Sequence, residues 1–548
     1  MNFKVNESRQ KLRGGYYTPL DLAQFLARWV QGIGPKTILE PSCGDGVFFE
    51  ALAQSGVFAG TSILGFELEK SEAKKAVARA ESAGLANTTV YPEDFLRWAL
   101  NRIAAREQDI DAVVGNPPFV RYQYLPAQFQ GIAEQVFKVL DLKFTKHTNA
   151  WVPFILASIK LLRPGGRLAM VVPAEIIHVT HAQSLRSYMG VECRKVTIID
   201  PEELWFEGTL QGAVIMLAEK KKSPGEDVEG LGIYPVRGRS FIDSSPETIF
   251  NAPKALNGET VKGKWTRALL DGETRQLLSE LRQHKQIRRF KDIASVDVGI
   301  VTGANKFFLV PNDVVKQFGL EKWAHPMFGR SEHCPGIIYD KKQHRANQES
   351  GKPTNFLWFT EPLNNMSPTA RAYVKLGENE KLHERYKCRI RSPWYTVPSV
   401  YSCEIGMLKR SHHAPRLILN SLGAFTTDTA YRVRSIKVEA KRLVALFLNP
   451  LTALSAELEG RHYGGGVLEL VPSEIERLLI PLPDSCPNSI SQLDNLVRTV
   501  GMDEVLSLHG RAVLGAIGLS GNQIDLLLAA WKFLRDRRHR TPGEPGDE

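Results

Sequence analysis

A chain of 548 residues, 43% hydrophobic and 24% charged, has ordinary soluble globular composition and length for roughly two to four domains. Its formal net charge of +10 is compatible with a polyanionic partner without naming one. The six cysteines stand singly with no CxxC pair, so neither a zinc ribbon nor a disulfide framework is indicated, and they fit a reducing compartment; with no apolar leader and no apolar run of roughly 18 residues, neither secretion nor a membrane span is expected.

The first 220 residues alternate strand-like and helix-like runs. "KTILEP" (36–41) reads as a buried strand entering a glycine-rich turn and a helix, "SCGDGVFFEAL". Gly44 and Gly46 let backbone approach a ligand closely. The third glycine of a dinucleotide fingerprint is missing, since the turn continues as Val47-Phe48-Phe49, so a pyrophosphate cradle is not expected. Glu40, at the strand's carboxyl end, repels a phosphate and suits an ammonium group. "SILGFEL" (62–68) is a second strand ending near Glu67, where an acidic residue takes the ribose hydroxyls of a nucleoside, and a helical run from about Ser71 to Ala83 follows. "TTVYPEDF" (88–95) is a third; there Asp94 can accept from an adenine amino group and Phe95 can cover the ring. A ligand with an ammonium, a nucleoside and no phosphate fits these residues together, and S-adenosylmethionine is such a molecule.

"IDAVVGNPPF" (110–119) is a fourth strand running into a proline corner. Two prolines remove two backbone donors and fix two φ angles. The corner offers two acceptors at fixed positions, the Asn116 side-chain carbonyl and the Pro117 main-chain carbonyl held rigid by Pro118. An exocyclic amino group such as adenine N6 is a poor nucleophile because its lone pair is delocalised into the ring. Accepting both its hydrogens favours a pyramidal nitrogen aimed at a methyl donor, with Phe119 stacked on the base; catalysis is then orientation and electrostatics.

"NAWVPFILASIKLL" (149–162) has helical spacing and ends at "PGG"; "RLAMVVP" (167–173), "VTIID" (196–200) and "GAVIMLAEK" (212–220) are further strands. Strands separated by helices predict a doubly wound α/β sheet with ligands at the strands' carboxyl ends. "KKKSPGEDVEG" (220–230) reads as a linker, beyond which the βα rhythm is lost. Helical runs such as 264–285 mix with short strands, "TGAN" reads as a hairpin tip with Lys306 beside it for a phosphate, and Arg389 and Arg391 can meet phosphates or guanine edges. "NQIDLLLAAWKFLRD" (522–536) is a helix before a disordered tail. The expected domains are therefore an α/β catalytic domain over 1–225, a mixed α+β domain over 226–538 and a tail over 539–548. No metal site is expected.

The proline corner after the Glu/Gly-x-Gly turn resembles that of amino-group methyltransferases. The order of "GGYYTP" (14–19), glycine turn, NPPF and C-terminal half resembles the gamma-class, TaqI-type N6-adenine DNA methyltransferases of restriction–modification systems. "VGIVTGANKFFLV", "CRIRSPWYTVP", "SLGAFTTDTAYRV" and "YGGGVLELVPSEIERLLIPLP" resemble, more loosely, that family's specificity domain. The resemblance implies a Rossmann-like class I S-adenosylmethionine-dependent methyltransferase domain followed by a DNA target-recognition domain. It implies cofactor contacts at Tyr17, Thr18, Glu40, Pro41, Cys43, Gly44, Gly46, Glu67, Asp94, Phe95 and Asn116, and a catalytic loop of Asn116, Pro117, Pro118 and Phe119. Many members have Tyr where this chain has Phe119, which keeps the ring face and loses the hydroxyl. Phe206, in "ELWFEGTLQGAVIML", matches a second aromatic against the flipped base, with Trp205 as its substitute. The implied reaction is methylation of N6 of a flipped-out adenine in a specific double-stranded DNA sequence. It would protect host DNA from a cognate restriction endonuclease, a functional rather than necessarily physical partner. With "GGYYTP" so near the start, no nuclease domain is expected ahead of it. A monomer in the prokaryotic cytoplasm, at the nucleoid, is expected. A second reading keeps the loop and changes the substrate to ribosomal RNA guanine N2 or protein glutamine; enzymes of that kind generally lack the C-terminal half. A third is a non-enzymatic DNA-binding protein with a retained pocket.

Overall fold

Among the described residues, the apolar runs of the first half form eight strands: β1 (Thr37–Glu40), β2 (Ser62–Phe66), β3 (Thr88–Tyr91), β4 (Ile110–Gly115), β5 (Leu162–Pro173), β6 (Cys193–Pro201), β7 (Ala213–Lys220) and β8 (Gly230–Val236). The computed structural model describes residues 18–56, 60–120, 124–146, 148–203, 205, 212–257, 263–463 and 465–539. The eight strands join one sheet in the order β3-β2-β1-β4-β5-β7-β6-β8. β7 runs antiparallel to both its neighbours, and the other pairs are parallel. The winding reverses between β1 and β4, the position where doubly wound sheets open a ligand crevice.

Side chains alternate across this sheet, and both faces are buried. Leu39, Val113, Leu168, Met170 and Met216 enter one core; Ile38, Ala112, Val114, Ala169 and Ile215 enter the other. Helices α1 (Leu20–Gln31) and α2 (Val47–Gln54) cover the second face, and α3 (Lys70–Ser82) packs on it through Ala76 and Ala80. Helices α4 (Phe95–Ala104), α5 (Ala127–Val139), α6 (Trp151–Leu161) and α7 (Gln183–Glu192) cover the first. Helix α6 is buried nearly all round, and Lys220 Nζ caps its end by donating to the carbonyls of Ile159, Lys160 and Leu162 at 3.0, 3.2 and 2.6 Å. Burial pulls the Lys220 ammonium down to about 8.

Several sequence expectations shift. The predicted boundary at 225/226 falls inside the first compact unit, which runs to Leu270; the second spans Asp271–His539. The physical reason is β8: "GLGIYPV" pairs in parallel with β6 over seven residues, so "KKKSPGEDVEG" is the turn between two strands of one sheet rather than a linker. The third strand stops at Tyr91, because Asp94 caps α4 through a bond from Leu96 N at 2.9 Å. β5 begins at Leu162, and its register shift against β4 takes up the "PGG" expected to end the helix. The 264–285 run divides into a 3-10 turn, Trp265–Leu269, and a helix, Gly272–Leu281, started by Asp271 accepting from Thr274 N at 2.7 Å.

The second unit is mixed α+β, with small sheets of which the largest orders Ala294–Val298, Ala430–Ser435, Ile405–Leu408, Leu417–Asn420 and Ile338–Tyr339. Its core is aromatic, with Phe308, Trp323, Phe356 and Phe359 buried together. The last helix, Gly521–Arg538, is locked by a fully buried pair, Arg538 to Glu457 at 2.7 Å. Burial raises the Glu457 carboxyl, but Arg538 and His462 together outweigh it and hold it at about 2. His539, expected in the tail, donates its backbone N–H to Arg535 O at 3.0 Å. Among the described residues no helix is long and apolar enough to cross a membrane.

Candidate active site

The residues singled out at the ends of β1, β2 and β4 converge. Glu40 is the last residue of β1 and fully buried. Neither of its carboxylate oxygens has a hydrogen-bond partner among the described residues. Burial raises its pKa well above the usual carboxylate value; nearby Asp45 and Glu67 add to the shift, and Arg79 opposes it. An orphaned buried carboxylate is a costly arrangement in an empty fold. It is the arrangement expected of a carboxylate kept for a cationic ligand group, so the donor set fits the ammonium of S-adenosylmethionine.

The following turn is tied to β2 and β4. Cys43 N donates to Phe66 O at 2.8 Å, and Gly44 N donates to Glu67 Oε2 at 3.1 Å. Glu67 also accepts from Glu69 N at 2.8 Å. Burial raises the Glu67 carboxyl, with those two amides pulling the other way. Ser42 Oγ donates to Asn116 O at 3.0 Å. Gly44 adopts φ +52° and a Cβ there would meet no atom within 4 Å, which leaves a cradle open at that point of the turn. Gly46 adopts φ +88°, and a Cβ there would lie 2.9 Å from Ala76 Cα of α3. Burial raises the Cys43 thiol above its ordinary value, so the residue serves through its backbone rather than as a nucleophile. On the outer side Arg79 of α3 bridges Asp45 at 2.9 Å and Glu50 at 2.8 Å, fixing the turn against both helices.

β4 delivers the proline corner. Gly115 lies so close to β1 that a Cβ would stand 3.4 Å from Pro41 Cδ and 3.7 Å from Glu40 Cγ. Asn116 Nδ2 donates to the buried Thr18 Oγ1 at 3.2 Å. Pro117 is buried and Pro118 half-buried. Phe119 is half-buried and touches both cores, so it sits where the two faces meet at the sheet's carboxyl edge. Beyond it, Ala150 N donates to Val120 O at 2.8 Å, and Asn149 Nδ2 donates to Glu175 Oε2 at 3.0 Å, anchoring the loop's exit beside the end of β5.

Thr18, Glu40, Pro41, Cys43, Gly44, Gly46, Glu67 and Asn116 therefore form one connected cluster. Asp94 caps α4, its carboxyl raised by burial against the Leu96 and Arg97 amides. Phe95, expected to cover a ring, is 2% exposed and packs in the core, 5.7 Å from Phe66 and 5.3 Å from Phe154. Trp205, the substitute second aromatic, stacks on Phe241 at 5.3 Å in the opposite core. Tyr17 and Phe206 lie outside the described residues. Ser42, Arg79, Gly115 and the Asn149–Glu175 pair were missed; the only local signal was a hydroxyl inside a ligand-type turn.

In the second unit, "TGAN" is not a hairpin tip. Ala294–Val298 pairs with Ala430–Ser435 and Leu309–Val310 with Asn355–Phe356, while Asn305–Phe308 is a short helix. Lys306 is exposed and borders a cavity of about 390 Å³ shared with Arg330 and His333. Arg389 is exposed. Arg391 is half-buried and donates to Thr302 O at 2.8 Å and Val301 O at 2.7 Å, which commits both terminal nitrogens to the protein.

A family model described as Eco57I restriction-modification methylase matches residues 61–206. The model for the C-terminal domain of the type II methyltransferase M.Eco57I matches residues 262–514. The type II methyltransferase M.AccI of Acinetobacter calcoaceticus is 23% identical over 486 residues, covering 86% of this chain and 85% of that protein. M.XamI of Xanthomonas campestris pv. amaranthicola is 23% identical over 481 residues, with 85% of each chain covered. Among solved structures, the type IIG restriction endonuclease BpuSI aligns over 96% of this chain and 66% of its own, at 14% identity and a TM-score of 0.43.

Proposed function

We propose that this chain, which belongs to the Eco57I restriction–modification methylase family and uses S-adenosylmethionine, methylates N6 of adenine at a specific double-stranded DNA sequence and so protects that DNA from a cognate endonuclease. The observation that carries the reading is the join of two half-sites. Ser42 in the glycine turn holds the backbone carbonyl of Asn116, and Gly115 packs against Pro41, so the proline corner and the buried, unpartnered Glu40 share one wall.

S-adenosylmethionine supplies an electrophilic methyl group on a sulfonium. The chain does the rest by position. Glu40 takes the ammonium, Glu67 the ribose and the open Gly44 turn the backbone-facing edge. The Asn116 side-chain carbonyl and the Pro117 carbonyl accept the two amino hydrogens of the target, and Phe119 stacks on its ring. Asn116 and Pro117 oxygens do not protonate at working pH, so they orient the nitrogen and leave its proton to water. An adenine inside a duplex must be extruded, at a few kcal/mol, and stacking returns roughly 1–3 kcal/mol per base.

Single-molecule sequencing of DNA from cells expressing the protein tests this directly. N6-methyladenine confined to one sequence motif is expected. Methylcytosine, or unmodified DNA alongside methylated ribosomal RNA or protein in a tritium-transfer assay, would refute it.

A further inference from the structure

The second unit turns an apolar knuckle outward between cations. Residues Tyr386–Arg389 form a single helical turn, and Tyr386 and Ile390 are each 63% exposed. Four positions apart, they share one face. Val301, at 38% exposure, belongs to the segment packed beneath them. Lys387 Nζ lies 5.4 Å and Arg389 Cζ 5.5 Å from the Tyr386 ring centroid. Apolar residues scattered singly are normal on a surface; here two large ones share one turn, bracketed by Lys and Arg.

The knuckle is also braced. Cys388 between its exposed neighbours is fully buried, and its Sγ approaches Thr302 O at 3.9 Å. Arg391 pins the exit of the turn to the carbonyls of Val301 and Thr302. Gly303, at φ +81°, packs so closely that a Cβ would stand 2.7 Å from Lys387 Cβ. A braced apolar tip flanked by positive charge matches a polyanion whose interior is apolar. Stacked bases between phosphate rails have that chemistry; a protein groove or a lipid tail does not require the charges.

We propose that this knuckle is an apolar wedge for duplex DNA, with Tyr386 and Ile390 entering between base pairs and Lys387 and Arg389 meeting the flanking phosphates. It rests on the reading of the chain as a DNA methyltransferase; it keeps Arg389 as the phosphate contact read from the sequence and adds the apolar tip of Tyr386 and Ile390, which that reading does not use.

The test uses the full chain with cofactor, wild type against Tyr386→Ala/Ile390→Ala and Lys387→Gln/Arg389→Gln, on random-sequence duplex and on the methylated motif. Binding is measured across salt concentrations, and 2-aminopurine placed at successive positions reports unstacking. The apolar variant should lose roughly tenfold in duplex affinity and the 2-aminopurine signal at the wedged step, with its salt slope kept. The charge variant should lower the salt slope by about two, for two phosphate contacts. Cofactor affinity should be unchanged in both. Unchanged affinity and unchanged 2-aminopurine signal in the apolar variant overturn the wedge. So does loss of self-association in analytical ultracentrifugation with DNA binding intact. Methyl transfer is read separately, so a wild type that wedges DNA without methylating it sinks the enzymatic reading and leaves the wedge standing.

Discussion

Two glycines of one turn should fail in opposite ways. Gly44 and Gly46 both hold positive φ, +52° and +88°, where any other L residue costs about 1–2 kcal/mol. They differ in what surrounds them. At Gly44 a methyl meets nothing within 4 Å, whereas at Gly46 it stands 2.9 Å from Ala76 Cα and 3.1 Å from Phe49 Cδ2. Gly44→Ala should therefore lose about 1–2 kcal/mol of stability from backbone conformation alone. At roughly 2–4 °C per kcal/mol, that moves Tm by about 2–8 °C. Gly46→Ala adds an overpacking cost of about 1–3 kcal/mol because α3 must move, for a total of about 2–5 kcal/mol. Cofactor affinity should rank the other way. The Gly44 methyl fills the open cradle and should weaken S-adenosylmethionine binding at least roughly tenfold, about 1.4 kcal/mol, measured at a temperature where both variants remain folded. Calorimetric unfolding without cofactor and isothermal titration with it read the two effects separately. A Gly44→Ala protein that binds cofactor like wild type would show that the turn is no cradle. Equal Tm losses in the two variants would show that α3 does not confine Gly46.

Four further outcomes follow from the same geometry. Asn116→Ala should retain cofactor affinity within a few-fold and lose roughly 10²–10³ in methyl transfer, measured by tritium incorporation into duplex DNA. Because the folded state holds the Glu40 proton above its ordinary pKa of 4.5, it binds more protons than the unfolded chain in that window, so cofactor-free stability falls as pH rises through it. Cofactor binding should then release a proton, detected by titration calorimetry in buffers of different ionisation enthalpy, and Glu40→Gln should abolish both effects. Lys220, pulled down to about 8 by burial, holds fewer protons folded than unfolded between about 8 and 10.5, so stability should rise across that interval and Lys220→Met should flatten the rise in pH-dependent denaturant melts. Arg391→Ala should lower the melting temperature of the second unit and leave the salt slope of DNA binding unchanged, since its guanidinium is spent on Val301 and Thr302.

How much of this was legible depended on whether the signal was local. β1, β4, β5 and β7 stand out in sequence because both faces are buried, which leaves continuous apolar runs. The proline corner is a local chemical statement and landed where expected, at the end of β4. Phe95 carries two signals at once, because an acid–aromatic pair after a strand looks like a pocket. The spacing of Phe95, Leu96, Ala99 and Ile103, all buried, is that of a helix facing the core. The 220–230 stretch misled because Pro, Gly and charge punctuate a tight strand connection as well as a linker, and only the pairing of β8 with β6 separates them. Contacts such as Ser42 to Asn116 and Asn116 to Thr18 span 74 and 98 residues and exist only once the sheet order is known.

That same Asn116 residue receives a bond from the glycine turn and gives one to Thr18. On the proposed function, a residue fastened on both sides to the cofactor's surroundings is not reoriented by one ligand without the other sensing it. Occupancy of the two halves should then be thermodynamically interdependent, and by linkage whatever factor the cofactor contributes to seating the target, the target contributes equally to holding the cofactor.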